Sequence, residues 1–255
     1  MWLATYTLWR RDIVRFYRQR SRVIGALGTP LVFWLLLGSG LGSSFRVGSL
    51  GTPSGGYLEY FFPGTLALIL LFTAIFSTIS VIEDRHEGFL QGVMVAPTPR
   101  IAIALGKILG GTTMAVLQAL LFLMLAPVAS TEISLSTLPS LGLVLAVLAF
   151  GLTGLGFALA WMIDSTQGFH AVMNLVLFPM WLLSGAVFPA DGAAGWIRGV
   201  MLVNPMTYGV AALRTLLSHP VADGAGSVSN PLSVIVLFAI FTLLLSGWCV
   251  RHRQS

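Results

Sequence analysis

Residues 81–100 read VIEDRHEGFLQGVMVAPTPR. Charged and polar side chains, Glu83 to Glu87, come first; an apolar stretch follows; Pro-Thr-Pro-Arg closes the segment. On either side lies an uncharged apolar run long enough to cross about 30 Å of hydrocarbon as a helix of roughly 20 residues. A compact charged segment between two such runs reads as the short connection between two membrane spans. Composition agrees. Of 255 residues, 56% are hydrophobic and 9% charged, whereas an ordinary soluble domain carries about 25% charged residues. So few charges cannot cover a water-exposed surface of this size, which makes the expected fold class an all-α polytopic membrane protein.

Six runs have spanning length: 23–41, 61–82, 108–128, 138–163, 169–190 and 232–250. Helices satisfy their own backbone hydrogen bonds, which lipid cannot do. The runs are too long and unbroken for barrel strands, which alternate over about 10 residues. Residues 194–218 differ, because Asn204-Pro205 interrupts them and Arg198 and Arg214 lie within. Asn204 suits a helix N-cap and Pro205 the first helical position. Two short helices, near 194–203 and 205–217, are expected. Neither can cross alone, so a re-entrant hairpin is the economical reading, with one kinked seventh span as the alternative. The chain divides as a single transmembrane domain over 1–255: a membrane-surface helix (1–22), spans one to five (23–190), an extracytoplasmic and re-entrant segment (191–230), span six (231–250) and a tail (251–255).

Basic residues give the orientation. Arg10, Arg11, Arg15, Arg18, Arg20 and Arg22 precede span one; Arg85, Arg100 and Lys107 lie between spans two and three; Arg251 and Arg253 follow span six. With six spans these fall on one side, leaving Arg46, Arg198 and Arg214 on the other. Short cytoplasmic loops are rich in Lys and Arg. Both termini are therefore expected in the cytoplasm of a multi-pass plasma (inner) membrane protein. The basic balance points to anionic lipid headgroups, not nucleic acid.

Before span one, Trp2, Tyr6, Trp9, Ile13, Phe16 and Tyr17 fall within an arc of roughly 100° on a helix, with Arg11, Arg15, Arg18 and Arg22 opposite. Aromatic residues favour the headgroup zone and arginine favours anionic lipid. The expectation is a helix along the membrane surface, whether as an anchor alone or also touching a cytosolic partner. In the 81–100 segment, Gly88 allows a bend, and Phe89, Leu90, Val93, Met94 and Ala96 line one side of a short helix ended by Pro97 and Pro99. This is either a plain interfacial element or one shaped to sit in another protein's groove.

The stretch EDRHEGFLQGVMVAPTPRIAIALGK, followed in order by WLLSGAVFP (181–189) and NPMTYGVAALR (204–214), resembles the permeases of ABC-2 type transporters. FYRQRSRVIGALGTPLVFWLLLG (16–38) is similar to the first span of the daunorubicin-resistance and nodulation-factor-export branch. The resemblance implies six spans and a dimer of permeases. It also implies two separate cytosolic ATPase subunits that carry ATP and Mg, with no cofactor in this chain. Glu83, Arg85, Glu87, Gly88, Phe89, Leu90, Pro97 and Arg100 would form the coupling element to the ATPase. The helix bearing Trp2, Trp9, Arg11, Arg15 and Arg18 would approach it too. Asn204, Pro205, Tyr208 and Arg214 would belong to the outer re-entrant motif. Gln91 and Gly92 depart from the family pattern, which carries charges there in many members. The implied activity is ATP-driven export of an amphiphilic, lipid-like or drug-like cargo. Phe33, Trp34, Phe178 and Trp181 are expected to line its path. No G-x-x-x-x-G-K-[ST] occurs, so the chain is expected to be a transport subunit without its own ATPase site.

The alternatives are a membrane-embedded lipid-modifying enzyme or a non-transporting assembly factor. The four histidines are scattered without metal-ligand spacing, and no catalytic group is identified. Asp164, in the DSTQ turn, reads as a helix cap. Lys107 reads as a residue that snorkels from the end of its span, and no charge is expected to be buried within one. Gly106-Lys-Ile-Leu-Gly110 allows close helix approach.

Overall fold

The computed structural model describes residues 2–41, 56–95, 99–131, 133–190, 193–217 and 230–252. Pro97, Arg46 and Arg253, named above, lie outside them, as does Ala96 of the short helix. The described residues form ten α-helices and no strand: α1 (Trp2–Arg18), α2 (Arg20–Leu41), α3 (Gly56–His86), α4 (Phe89–Val95), α5 (Arg100–Leu123), α6 (Leu138–Met162), α7 (Thr166–Trp181), α8 (Gly195–Val203), α9 (Pro205–Leu216) and α10 (Pro231–His252). A 3-10 turn covers Ala126–Ala129, and a π-helical turn, Leu182–Ala186, continues α7. Six helical stretches are long and apolar enough to cross a membrane: α2, α3, α5, α6, α7 with its π-turn, and α10.

Helix α3 is the axis of the bundle, buried along nearly its whole length. Its side-chain contacts give the directions of its neighbours. The indole of Trp34 on α2 donates to the Leu58 carbonyl at 3.0 Å, and Gly25 lies opposite Phe76, so α2 runs antiparallel to α3. Thr73 donates to Gln118 at 2.6 Å and Lys107 meets Ser80, so α5 is antiparallel too. Thr78 lies against Gly156 and Arg85 reaches the Ala160 carbonyl, which makes α6 parallel to α3. Ser246 of α10 donates to the Gly154 carbonyl of α6 at 2.9 Å. One end of the bundle therefore gathers the C-termini of α3, α6 and α10 with the N-termini of α2, α5 and α7. Arg11, Arg15, Arg22, Glu83, Asp84, Arg85, Glu87 and Lys107 all lie at this charged end. The opposite end holds the π-turn, α8 and α9.

Several elements differ from the sequence reading. Span two does not release its charges into a loop: α3 continues through Glu83, Asp84 and Arg85 to His86, because those charges are paired against neighbouring helices instead of solvated. Span three begins earlier, at Arg100, after the extended residue Pro99. Span five is a helix that breaks at Leu183 and Gly185. The interrupted segment divides at Asn204, whose side chain accepts from the Met206 amide at 3.0 Å and caps α9. Ser165, not Asp164, caps α7, accepting from the Gly168 amide.

Candidate functional site

The charged end is built around α1. Its buried residues are Thr5, Leu8, Asp12 and Phe16, spaced three and four apart as a helix face requires. This stripe lies between the expected aromatic and arginine faces, so the helix is turned by roughly a quarter from the sequence expectation. Trp2, Tyr6 and Tyr17 are exposed. The reason is the surface it meets. Helix α5 presents Gly106 and Gly110, and a Cβ at Gly106 would sit 2.7 Å from Leu8 Cβ and 3.1 Å from the Thr5 carbonyl. At Gly110 it would sit 3.3 Å from Asp12 Cβ. Only glycine lets α1 come this close. Trp9 extends the contact by donating to Thr113 Oγ1 at 3.0 Å.

Between the two glycines lies Lys107. It does not snorkel: its side chain is 2% exposed. Its Nζ donates to Asp12 Oδ1 at 3.0 Å, to Ser80 Oγ at 3.1 Å and to Asp84 Oδ2. Asp84, fully buried, also receives Arg11 through two bonds of 2.8 and 2.7 Å, and Arg15. Arg15 reaches on to Glu83 at 3.1 Å and Glu87 at 3.0 Å, and Arg22 closes on Glu83. Four cations and four carboxylates thus neutralise one another. Burial pushes the Asp12 carboxyl above its usual range, opposed by the Lys107 ammonium; the ion pair is what a carboxylate there requires.

Two further contacts join neighbouring elements to this cluster. The Arg11 guanidinium lies 3.7 Å from the centre of the Phe89 ring, tying α4 to α1. Gly88, with φ +75°, makes the bend between α3 and α4 that residues with a Cβ resist. Arg85 turns the other way. It donates to the Ala160 and Trp161 carbonyls and pairs with Asp164 at 2.8 Å, while His86 meets the Asp164 carbonyl at 2.7 Å. Arg85 therefore supplies donors to the last carbonyls of α6, which a helix C-terminus leaves unmet.

At the opposite end the break after α7 frees backbone carbonyls, and side chains take them up. The Asn204 amide donates to the Met180 and Leu183 carbonyls at 2.5 and 3.0 Å. Tyr60 and Arg214 both donate to Gly185, at 3.0 and 2.7 Å, and Tyr57 to Val187 at 2.8 Å. Gly185 takes φ +80°. Charges do lie inside the bundle, contrary to expectation: Glu59, Asp84 and Lys107 are buried within spans, and Arg214 of α9 is buried 4.2 Å from the Tyr60 ring centre. Arg214 is tolerated because it meets a carbonyl and an aromatic face. The stretches 181–189 and 204–214 are thus two halves of one polar clamp.

The ABC-2 type transporter membrane model matches residues 4–217. The chain belongs to the ABC-2 type transporter family. It is 27% identical over 261 residues to Nodulation protein J of Rhizobium leguminosarum bv. trifolii, covering 99% of this chain and 93% of the relative. To Nodulation protein J of Rhizobium meliloti it is 26% identical, with coverage of 99% and 93%. To the daunorubicin resistance ABC transporter permease protein DrrB1 of Streptomyces coeruleorubidus it is 23% identical over 216 residues, 84% of this chain and 75% of the relative.

In this ABC-2 chain the named residues separate. Glu83, Glu87 and Phe89 converge beside Arg11 and Arg15. Leu90 is buried, whereas Gln91, Gly92, Met94 and Val95 are exposed on α4. An apolar groove of about 500 Å³ runs between α1 and α4, lined by Leu3, Leu8, Phe89 and Val93 among others. Arg18 is exposed on α1. Arg100 stands apart, donating to the Arg251 carbonyl at 3.1 Å. Tyr208 donates to the Leu202 carbonyl at 2.6 Å and fastens α8 to α9.

The four aromatics proposed for a path do not gather. Trp34 packs edge-on against Phe62 and Phe122, Trp181 donates to the Gly64 carbonyl at 2.9 Å, and both are core. Burying an indole requires a partner for its N–H, and a neighbouring helix carbonyl supplies it. Phe33 is exposed on α2, and Phe178 is half-buried against Trp181. Asp12 was missed altogether. The signal was there: one carboxylate among six basic residues in the first 22.

Proposed function

We propose that the chain is the transmembrane subunit of an ABC exporter, moving an amphiphilic, lipid-like or drug-like cargo with ATP and Mg held by separate ATPase subunits. In this reading two permease copies work together in the plasma membrane, with the charged end and both termini in the cytoplasm. The observation that carries it is the charged end itself. A separate motor must push on this chain through contacts, and α1 and α4 are the elements that stand outside the spans at that end. They bear an exposed apolar groove and are tied by Arg11, Phe89 and the ion cluster to α3 and α5. The excess of basic residues at the same end supports its cytoplasmic placement. The family and the daunorubicin resistance relative support the export of an amphiphilic cargo. Glu83 and Glu87 hold α1 in this reading, and contact with the ATPase falls to the exposed side of α4 and the groove.

The test is photocrosslinking in lipid with the ATPase encoded nearest to this chain. A crosslinker at Gln91 or Val95 is expected to yield an ATPase adduct, and one at Val203 of α8 to yield none. Adducts from Val203 but not from α4 would reverse the orientation, and adducts from neither would remove the partnership.

A further inference from the structure

The α1 seat on α5 raises a problem of register. Gly106 and Gly110 are four residues apart, one helical turn. The groove they form accepts the Leu8–Asp12 side of α1, itself spaced by four. A purely apolar contact of this kind fits again after a slide of one turn, about 5 Å. What distinguishes the two seats is polar contact: the Trp9–Thr113 hydrogen bond and, above all, charge. Lys107 lies between the glycines and binds Asp12 from α1 and Asp84 from α3 at once. In the shifted seat Asp12 would leave Lys107 and remain buried without its ammonium partner.

We propose that Lys107, with Asp12 and Asp84, is a register lock. It fixes α1 in one of two available seats on α5, so that a push on α1 and α4 reaches α3 and α5 without slippage. Lys107 is a positioning residue in this account. Stability alone does not explain the trio. Ions taken out of water lose hydration that their mutual attraction barely replaces, and apolar substitutes for buried ion groups are often neutral or stabilising. What such groups supply is selection among arrangements, as a buried polar residue does in a coiled coil. The location fits that role. The lock joins three helices, and its outer members Arg11 and Arg15 reach α4 and the bend at Gly88 through Phe89 and Glu87. The inference rests on the ATPase-coupled reading above.

The experiment uses the full chain with its ATPase in lipid nanodiscs, Cys249 replaced by Ser and spin labels at Val14→Cys and Met162→Cys, both exposed positions. Pulsed spin–spin distances are read in the native background and in Lys107→Met/Asp12→Asn/Asp84→Asn. The triple substitution leaves no lone charge in the trio, and Arg11, which loses both of its carboxylate partners, has a side chain 29% exposed and so keeps access to water. The native background is expected to give one narrow distribution. The triple variant is expected to add a second population displaced by up to about 5 Å. Transport per ATP hydrolysed is expected to fall about fivefold. A single unchanged distribution in the triple variant overturns the lock. A second population with unchanged transport per ATP overturns its role in coupling. A native complex whose ATPase does not respond to the permease defeats the reading above instead, and the distances then decide the register on their own.

Discussion

The two ends of the bundle solve opposite problems with polar groups. At the charged end, whole helices with intact backbones are joined by side-chain charges: four cations and four carboxylates from α1, α2, α3 and α5 and the bend after α3. At the opposite end one helix is broken, and donors from α3, α9 and its N-cap Asn204 satisfy the carbonyls that the break releases. The first arrangement concerns which elements sit together. The second concerns whether one element can hold an irregular shape inside a membrane. An ion cluster can be neutralised as a set at little cost, whereas a broken helix in hydrocarbon has no substitute for its donors.

Substitutions at four positions sharpen that contrast. Lys107→Met alone leaves Asp12 only the longer 3.5 Å contact to Arg11 and weakens Asp84, and is expected to cost about 3–5 kcal/mol. It should appear as the largest fall in thermal unfolding temperature in detergent, and the triple neutral variant should recover most of it. Asn204→Ala removes two carbonyl donors and the α9 cap, for an expected loss of about 2–3 kcal/mol. Asn204→Asp keeps the cap but not the donors. If it unfolds like the native chain, the cap is what matters and the clamp account is wrong. Gly106→Ala pushes a Cβ against Leu8 and the Thr5 backbone, an overpacking of about 1–3 kcal/mol. Its mark should be protease cleavage within α1 while the spans stay intact. Tyr57→Phe, which removes one hydrogen bond to Val187, is expected to cost about 1 kcal/mol and to give the smallest shift.

The spans and the division at Asn204-Pro205 were legible because both rest on local signals: apolar length, and a cap followed by proline. The rotation of α1 was not. Its aromatic and basic faces describe a helix meeting lipid, and the competing partner, a glycine pair on α5, lies about a hundred residues away. Lys107 looked like a snorkelling residue for the same reason, since its two aspartates come from other helices. That Trp34 and Trp181 face the core could not be read either, because an aromatic in a span carries no mark of which side it faces. Arg85 and Asp164, each read by itself, turn out to pair where α3 meets the joint between α6 and α7.

Coupling through the bend after α3 is the claim on which the functional account depends. Its most direct test is transport per ATP hydrolysed by Glu87→Ala/Gly88→Pro in the reconstituted complex. That variant removes the Arg15 contact and forbids the φ of +75° that Gly88 adopts. The account expects an inserted, folded permease whose partner still hydrolyses ATP while cargo movement falls about tenfold or more. Cargo movement per ATP equal to that of the native chain would contradict it.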